Sequence, residues 1–292
     1  MNISRESIIL LPHISTLAMD TLQHTLTSYA YNILGSYEEA KDVVQDVLLE
    51  RLKRNGDTIE NEKAYLTRSA INKAINVKNR QKKMLSGYPG TWLPEPIATE
   101  GADYDLNQKD ILSYSLMVLL EKLDARQRAV FILKEAFDYD HEEIAEVLDI
   151  SVENSRQILS RAKKELKTES SGTIVKPSSG YLDKYIDIIR SGNTQRLEQL
   201  LSDEIVVISD GGGKAAAALH PLVGKEAASF LSGIYRKFYQ NSRIEKSFVN
   251  HNPALFFYQN DQLVTCHVFE LKDEKIERAY FIRNPDKLAS LR

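Results

Sequence analysis

The chain has 292 residues, 42% of them apolar, enough for two or more domains with buried cores. Thirty-eight Lys and Arg against 41 Asp and Glu leave a net charge of -3, so the chain as a whole is no polybasic nucleic-acid binder, and local clusters must carry any such role. Cys266 is the only cysteine, which excludes an intramolecular disulfide and a multi-cysteine zinc site. No run approaches the roughly 18 apolar residues of a membrane span, and the N-terminus lacks a basic segment followed by an apolar one. The expectation is a soluble, cytoplasmic protein with no membrane partner.

Residues 1–15 give no strong signal. From Leu17 to Leu34, apolar residues recur three or four apart, as on one helix face. Gly35-Ser36 ends that pattern, and Ser36 is placed to cap the next helix, Tyr37–Lys53. There Glu39, Asp42, Asp46 and Glu50 share an acidic edge beside a broad apolar side. Such an edge is either a solvated face or a dock for a basic partner. The charge then reverses: the helix expected over Asn61–Leu85 carries Lys63, Arg68, Lys73, Lys78, Arg80, Lys82 and Lys83, with no acid between Lys63 and Lys83. A helix of this kind can follow a phosphate backbone, and Tyr65, Asn72, Asn76 and Asn79 add stacking and hydrogen-bonding groups.

Residues 86–108 hold three prolines and the single tryptophan. They read as a linker, and Trp92-Leu93 predicts that it docks against something. A helix is expected over Asp110–Leu123, then three more over about 125–137, 141–148 and 152–166. The turn Asp149-Ile150-Ser151 joins the last two, and the final helix is basic on its polar side: a helix-turn-helix pattern. An α-helix fits the DNA major groove, where Arg and Gln reach base edges and Lys holds phosphates. A three-helix bundle with a wet, basic face is the plainer alternative.

Thr168–Gly180, rich in Ser, Gly and Thr, marks a second boundary. Beyond it two short helices, a strand from Asp203, a helix over 224–239 and four further strands predict an α+β domain with a curved antiparallel sheet. Gly211-Gly212-Gly213-Lys214 lacks the spacing of a phosphate-binding loop. It reads as a turn or a close backbone approach. Asp210, His220, Tyr235, Tyr258 and His267 are candidates to line a pocket, without a motif that joins nucleophile, base and oxyanion donor. No catalytic residue, metal site or cofactor is expected.

Three stretches together resemble an extracytoplasmic-function sigma factor of bacterial RNA polymerase: Glu38–Val47, Ala64–Asn72 with its basic continuation, and Leu123–Leu166. Trp92-Leu93-Pro94-Glu95-Pro96, Asp210-Gly211-Gly212-Gly213-Lys214 and Asn284-Pro285-Asp286-Lys287-Leu288 are similar to signatures of the subgroup with a fused C-terminal SnoaL-like (NTF2-like) domain. The resemblance implies two all-α sigma domains, the second with the helix-turn-helix, followed by an α+β NTF2-like cone. It divides the chain into region 2 (1–87), a linker (88–108), region 4 (109–168), a second linker (169–180) and the C-terminal regulatory domain (181–292).

The same resemblance assigns roles. Glu39, Asp42, Val43, Gln45 and Asp46 would meet core RNA polymerase, with the beta-prime clamp helices and beta flap as its docking elements. Arg68, Asn72, Lys73, Asn76, Lys78 and Arg80 would handle the promoter minus-10 element, with Asn72, Asn76 and Arg80 near an unstacked base. Ser155, Arg156, Gln157, Ser160, Arg161 and Lys164 would read the minus-35 element. The Trp92–Pro96, Asp210–Lys214 and Asn284–Leu288 segments would form a regulatory contact. A small ligand or regulatory protein at the C-terminal domain stays open. Two other readings also stay open: a stand-alone helix-turn-helix regulator with a ligand-sensing domain, and an NTF2-like isomerase or hydrolase with accessory helices.

Overall fold

The computed structural model describes residues 16–54, 59–99, 106, 108–166 and 180–291. The chain divides into two compact units. One comprises Met1–Met84, Asp103–Leu112 and Leu119–Ser170; the other comprises Leu85–Ala102, Ser113–Val118 and Ser171–Arg292.

Among the described residues, the regular structure of the first unit is all helical. Helix α1 (Thr16–Leu34) buries Met19, Leu22, Leu26, Ala30 and Ile33, spaced as one face requires. Gly35 turns the chain with φ +75, and Ser36 accepts a hydrogen bond from the Glu39 amide at the start of α2 (Tyr37–Lys53). Helix α3 (Glu62–Met84) buries Leu66, Ala70, Ile71, Ala74 and Ile75. Helix α4 (Tyr114–Leu119) belongs, but for its last residue, to the second unit, and α5 (Ala125–Glu135), α6 (His141–Leu148) and α7 (Val152–Leu166) complete the first. Asp124 and Asp140 form reciprocal capping boxes with Gln127 and Glu143, which set the starts of α5 and α6. Asp149 ends α6 in the left-handed conformation, φ 53, and the Ser151 hydroxyl accepts from the Asn154 amide to start α7.

The helix expected over Asp110–Leu123 is broken in three: a 3₁₀ turn at Gln108–Asp110, then α4, then a 3₁₀ turn at Leu120–Lys122. The buried Asn32 side chain accepts from the Leu112 amide and donates to the Asp110 carbonyl, so these backbone groups are spent outside a helix. The expected Thr168–Gly180 boundary lies largely outside the described residues.

The second unit is α+β. Helices α8 (Tyr181–Ser191) and α9 (Thr194–Leu200) lead into β1 (Leu201–Asp210), followed by the short β2 (Leu222–Val223) and α10 (Lys225–Ile234), which widens into a π turn at Tyr235–Tyr239. Strands β3 (Arg243–Val249), β4 (Asn252–Gln259), β5 (Gln262–Lys272) and β6 (Lys275–Ile282) follow, then α11 (Pro285–Leu288). The order in the sheet is β2-β1-β6-β5-β4-β3. The sheet is mixed rather than antiparallel as expected, because β1 runs parallel to β6 while the other pairs are antiparallel. The hairpins turn on residue pairs with positive φ: Asn250-His251, Asn260-Asp261 and Asp273-Glu274.

Strands β4, β5 and β6 are buried on both faces. Leu255, Phe257, Phe269, Leu271, Ala279 and Phe281 join the side chains of α8, α9 and α10 in one apolar core. Alternation sends Ala254, Cys266, Val268, Tyr280 and Ile282 to the opposite face, also buried. There the Tyr114 ring of α4 meets Tyr280 edge-on at 5.5 Å. The Tyr114 amide donates to the Asn250 carbonyl and its hydroxyl to the Pro94 carbonyl. Residues 113–118 thus have their partners in the second unit.

Candidate nucleic-acid interface and linker clamp

On α2, Asp42 and Asp46 are exposed, Glu39 and Gln45 are half-buried, and Val43 lies in the core at 2% exposure. Val43 is thereby a packing residue of this helix, not part of its free edge. On α3, Arg68, Asn76 and Arg80 are exposed. Lys73 bridges back to α2, 2.7 Å from Glu50 and 3.1 Å from Asp46. Burial would lower the Lys73 pKa, but the bonds to Glu50 and Asp46 outweigh it and raise the pKa. The acidic and basic helices therefore neutralise one another in part.

Lys78 does not face solvent. Its ammonium donates to the Leu34 carbonyl at 2.9 Å and to the Glu121 carboxylate at 2.8 Å. Burial, reinforced by the nearby Arg128 charge and opposed by Glu121, pushes its pKa down to about 8. Asn72 donates to the Val147 carbonyl at 2.7 Å, and Arg68 lies 3.9 Å from Asp149. A groove of about 590 Å³ runs beside them, lined among others by Lys63, Tyr65, Arg68, Tyr139, Glu143 and Val147.

On α7, Arg156, Gln157, Ser160, Arg161 and Lys164 are exposed along one side, while Ile158, Leu159, Ala162 and Leu166 are buried. Ser155 is fully buried and its hydroxyl bonds His141 Nδ1 at 2.9 Å, which ties α7 to α6. Ser155 positions the helix; it presents no group outward. Side-chain periodicity separates the two sets, since residues three and four apart share a face.

In the second unit the three segments singled out in the sequence meet. Asp210, 1% exposed at the end of β1, accepts four hydrogen bonds on its carboxylate. Tyr88 (2.6 Å) and the Gly212 amide (2.9 Å) donate to one oxygen; the Leu93 amide (2.9 Å) and Lys287 (2.6 Å) donate to the other. Lys287 also donates to the Leu93 carbonyl and sits 4.1 Å over the Trp92 ring. Burial, then the Asp210 carboxylate it donates to, pushes the Tyr88 phenol well above its usual range. Asn284 donates to the Tyr88 hydroxyl and caps α11 through the Asp286 amide.

The glycines serve close approach. A Cβ on Gly212, φ +60, would fall 2.3 Å from Asn284 Nδ2, and one on Gly211 would fall 2.0 Å from the Ala215 carbonyl oxygen. Lys214 pairs with Asp286 at 2.6 Å on the surface. Downstream, Leu93 and Ile97 are fully buried, Ser290 donates to the Pro96 carbonyl, and Ala98 pairs with Val249 at the end of β3. Asn250 accepts from the Ile97 amide through its side chain.

Tyr88 and Asn250 hold clamp or linker groups, and Asn252 accepts from the Ser115 amide of α4; none was singled out from sequence. Only Tyr88 carried a cue, an aromatic beside Pro89-Gly90. Asn32, Glu121 and Arg128 were missed because in sequence they look like surface polar residues.

The five residues expected to line a pocket are not gathered. Asp210 is spent on the linker, His220 is exposed, the Tyr235 hydroxyl donates to the Gln240 carbonyl, and Tyr258 lies under Arg243. His267 stacks on Phe281, ring centroids 3.5 Å apart. Burial, then the Arg283 charge, holds its pKa well below 6.5, so the ring is neutral. A groove of about 660 Å³ lies elsewhere, among Glu198, Ser202, Asp203, Lys225 and Ser229. Among the described residues no helix is long and apolar enough to cross a membrane, and no His, Cys, Asp and Glu group is placed to hold a metal.

Comparison with known proteins bears on these surfaces. Residues 19–84 match the family described as Sigma-70 region 2, and residues 113–166 match Sigma-70, region 4. The ECF RNA polymerase sigma factor SigJ of Mycobacterium tuberculosis (strain ATCC 25618 / H37Rv) is 28% identical over 232 residues, 75% of this chain and 72% of SigJ. SigG of the same strain is 23% identical over 266 residues, 80% of this chain and 70% of SigG. The crystal structure of M. tuberculosis SigJ shares the fold, with a TM-score of 0.76 and 24% identity over 94% of this chain and 99% of that one. Region 2 on α1–α3 and region 4 on α4–α7 come in that order ahead of a C-terminal α+β domain, so the chain carries both Sigma-70 regions and is similar to extracytoplasmic-function RNA polymerase sigma factors of the SigJ type.

Proposed function

We propose that the chain binds bacterial core RNA polymerase through the exposed acids of α2, with Asp42 and Asp46 at the centre and Glu39 and Gln45 beside them. Arg68, Asn72, Lys73, Asn76 and Arg80 on α3 handle the minus-10 element and help hold DNA open. Arg156, Gln157, Ser160, Arg161 and Lys164 on α7 read the minus-35 element from the major groove. The clamp helices and flap of the polymerase are the docking elements, and catalysis stays with the polymerase. The working division is region 2 at 1–87, linker at 88–108, region 4 at 109–168, second linker at 169–180 and an NTF2-like regulatory domain at 181–292. That domain acts on initiation through the linker that its Asp210–Lys214 and Asn284–Leu288 segments grip.

The observation that carries this reading is the one-sided exposure of Arg156, Gln157, Ser160, Arg161 and Lys164 on a helix entered by a tight turn. A basic, exposed helix face behind a locked supporting helix has the shape and charge the major groove accepts. The test is reconstitution with core polymerase on a broad promoter pool, with the full chain and with the chain lacking residues 181–292. Promoter-selective RNA that depends on this chain supports the reading. Initiation no more selective than that of core polymerase alone, in both arms, defeats it.

A further inference from the structure

We propose that the groove along α10 and its π turn binds a small amphipathic carboxylate, with the apolar body against Phe230, Ile234 and Phe238 and the carboxylate paired to Arg283. The inference concerns the second unit alone and goes beyond promoter recognition.

The groove encloses about 410 Å³, a size usual for small-molecule clefts. Phe230, Gly233, Ile234 and Phe238 give it apolar walls, and Arg236 and Lys237 give it charge; no acid lines it. Arg236, Lys237 and Arg283 have no carboxylate partner among the described residues. In a chain of net charge -3, three gathered cations without an anion make a locally positive site.

Arg283 is the decisive member because it is half-buried. Its guanidinium carbon lies 5.7 Å from the Phe238 ring centroid and 6.0 Å from that of Tyr239. One Nη donates to the Ala216 carbonyl, but the buried Nε has no hydrogen-bond partner. The Tyr239 hydroxyl and both His267 ring nitrogens also lack one, although these side chains are 1% and 2% exposed. The three groups adjoin, since the Tyr239 ring meets His267 edge-on at 5.5 Å. Buried polar atoms are nearly always paired. Here four in one cluster are not, and three of them can act as donors: the Arg283 Nε, the Tyr239 hydroxyl and one nitrogen of the neutral imidazole. Such a set lacks an acceptor, and the unneutralised guanidinium selects an anionic one.

The groove and the cluster share a wall. The π turn sends Phe238 outward onto the groove and Tyr239 inward onto His267. Phe230, also on the groove, packs on Phe281, which stacks on His267. A membrane surface or a peptide helix would cover Arg236 and Lys237 but would not reach the buried atoms behind Phe238. A compact carboxylate can.

The experiment titrates octanoate and phenylpropanoate into the full chain by calorimetry. It also follows the Ile234 methyl signal in methyl-labelled protein, assigned with Ile234→Val. Saturable binding is expected with a Kd on the order of 0.1–1 mM, together with a shift of the Ile234 signal. Octanol, which keeps the apolar body without the charge, should bind on the order of tenfold more weakly or not at all, as should Arg283→Met with octanoate. A Cβ at Gly233 meets nothing within 4 Å, so Gly233→Leu fills the groove without a clash and should abolish binding.

No saturable binding of either carboxylate overturns the site. So does equal binding of octanol, which would leave an apolar patch only, or undiminished binding to Gly233→Leu, which would place the ligand elsewhere. Capture by phosphatidylglycerol vesicles without binding of the monomeric carboxylates would overturn it in favour of a membrane surface. If Arg283→Met fails to fold, octanol and Gly233→Leu decide.

Discussion

Lys287 Nζ lies 2.6 Å from Asp210 Oδ2, and both side chains are almost fully buried. This pair, 77 residues apart in the chain, closes the linker onto the second unit, because the same carboxylate accepts the Leu93 amide and the same ammonium donates to the Leu93 carbonyl. The two partners are unequal. Without Lys287, Asp210 keeps three donors, whereas without Asp210 the buried Lys287, the half-buried Tyr88 and the Leu93 and Gly212 amides lose their common acceptor. Asp210→Ala is therefore expected to cost about 3–5 kcal/mol and Lys287→Met about 1–3 kcal/mol. Urea unfolding measures the difference, and limited proteolysis around residues 88–96 should show the linker freed in both variants. Equal costs would contradict the asymmetry.

Charge reversal on α2 separates docking from folding. Asp42 and Asp46 are exposed, and Asp46 pairs with Lys73 at the surface, so Asp42→Lys should change stability by about 0.5 kcal/mol and Asp46→Lys should cost about 1 kcal/mol. Association with core polymerase should weaken on the order of a hundredfold, as like charges replace attractive ones at a docking edge. Titration of labelled core polymerase reads this directly. Unaltered affinity would remove the acidic edge from the docking surface.

On α7, Arg156→Ala and Arg161→Ala should each weaken holoenzyme binding to promoter DNA while leaving core association intact. A residue that contacts phosphate reduces the slope of log affinity against log salt by about 0.9, whereas a base-reading residue relaxes sequence preference by about 1–3 kcal/mol at one position. A salt series on matched and mismatched promoters tells the two roles apart. With a net charge of -3, the isolated chain is expected to bind naked promoter weakly.

His267 makes the fold sensitive to acid. Its folded pKa is depressed well below 6.5, by burial first and Arg283 second. Below pH 6.5 the unfolded chain takes up a proton that the folded chain refuses, so stability falls as pH falls, by about 1.4 kcal/mol per pH unit from this group. Above pH 6.5 the group contributes no slope. His267→Phe, which keeps the stack on Phe281 and Phe257, should flatten the unfolding midpoint between pH 6.5 and 5. A slope that persists in the variant would place the acid sensitivity elsewhere.

Much of the helical half was legible in the sequence because its signals are local. Asp124 with Gln127, Asp140 with Glu143, and Ser36 before an acidic turn state helix starts within four residues. The apolar spacing of α7 separates its buried side from Arg156, Gln157, Ser160 and Arg161. The same periodicity puts Val43 on the apolar side of α2, where only the resemblance gave it a docking role, and read closely would have placed Lys78 and Ser155 inward, since each shares a face with buried neighbours. The break at Asp110–Leu112 was not legible, because Asn32, about 80 residues earlier, holds those backbone groups. The parallel pairing of β1 with β6 was hidden for a related reason: strand periodicity reports which face a residue takes, not which strand lies beside it.

By itself the sequence determined most of the elements, their polarity and the likeness to a family, since capping, periodicity and motif order are written in neighbouring residues. Only the tertiary structure decided that Trp92–Pro96, Asp210–Lys214 and Asn284–Leu288 converge on one carboxylate, and that Lys78 turns inward to Glu121. Burial of a charge is set by which distant groups desolvate it and answer its hydrogen bonds, and no local pattern of residues encodes that.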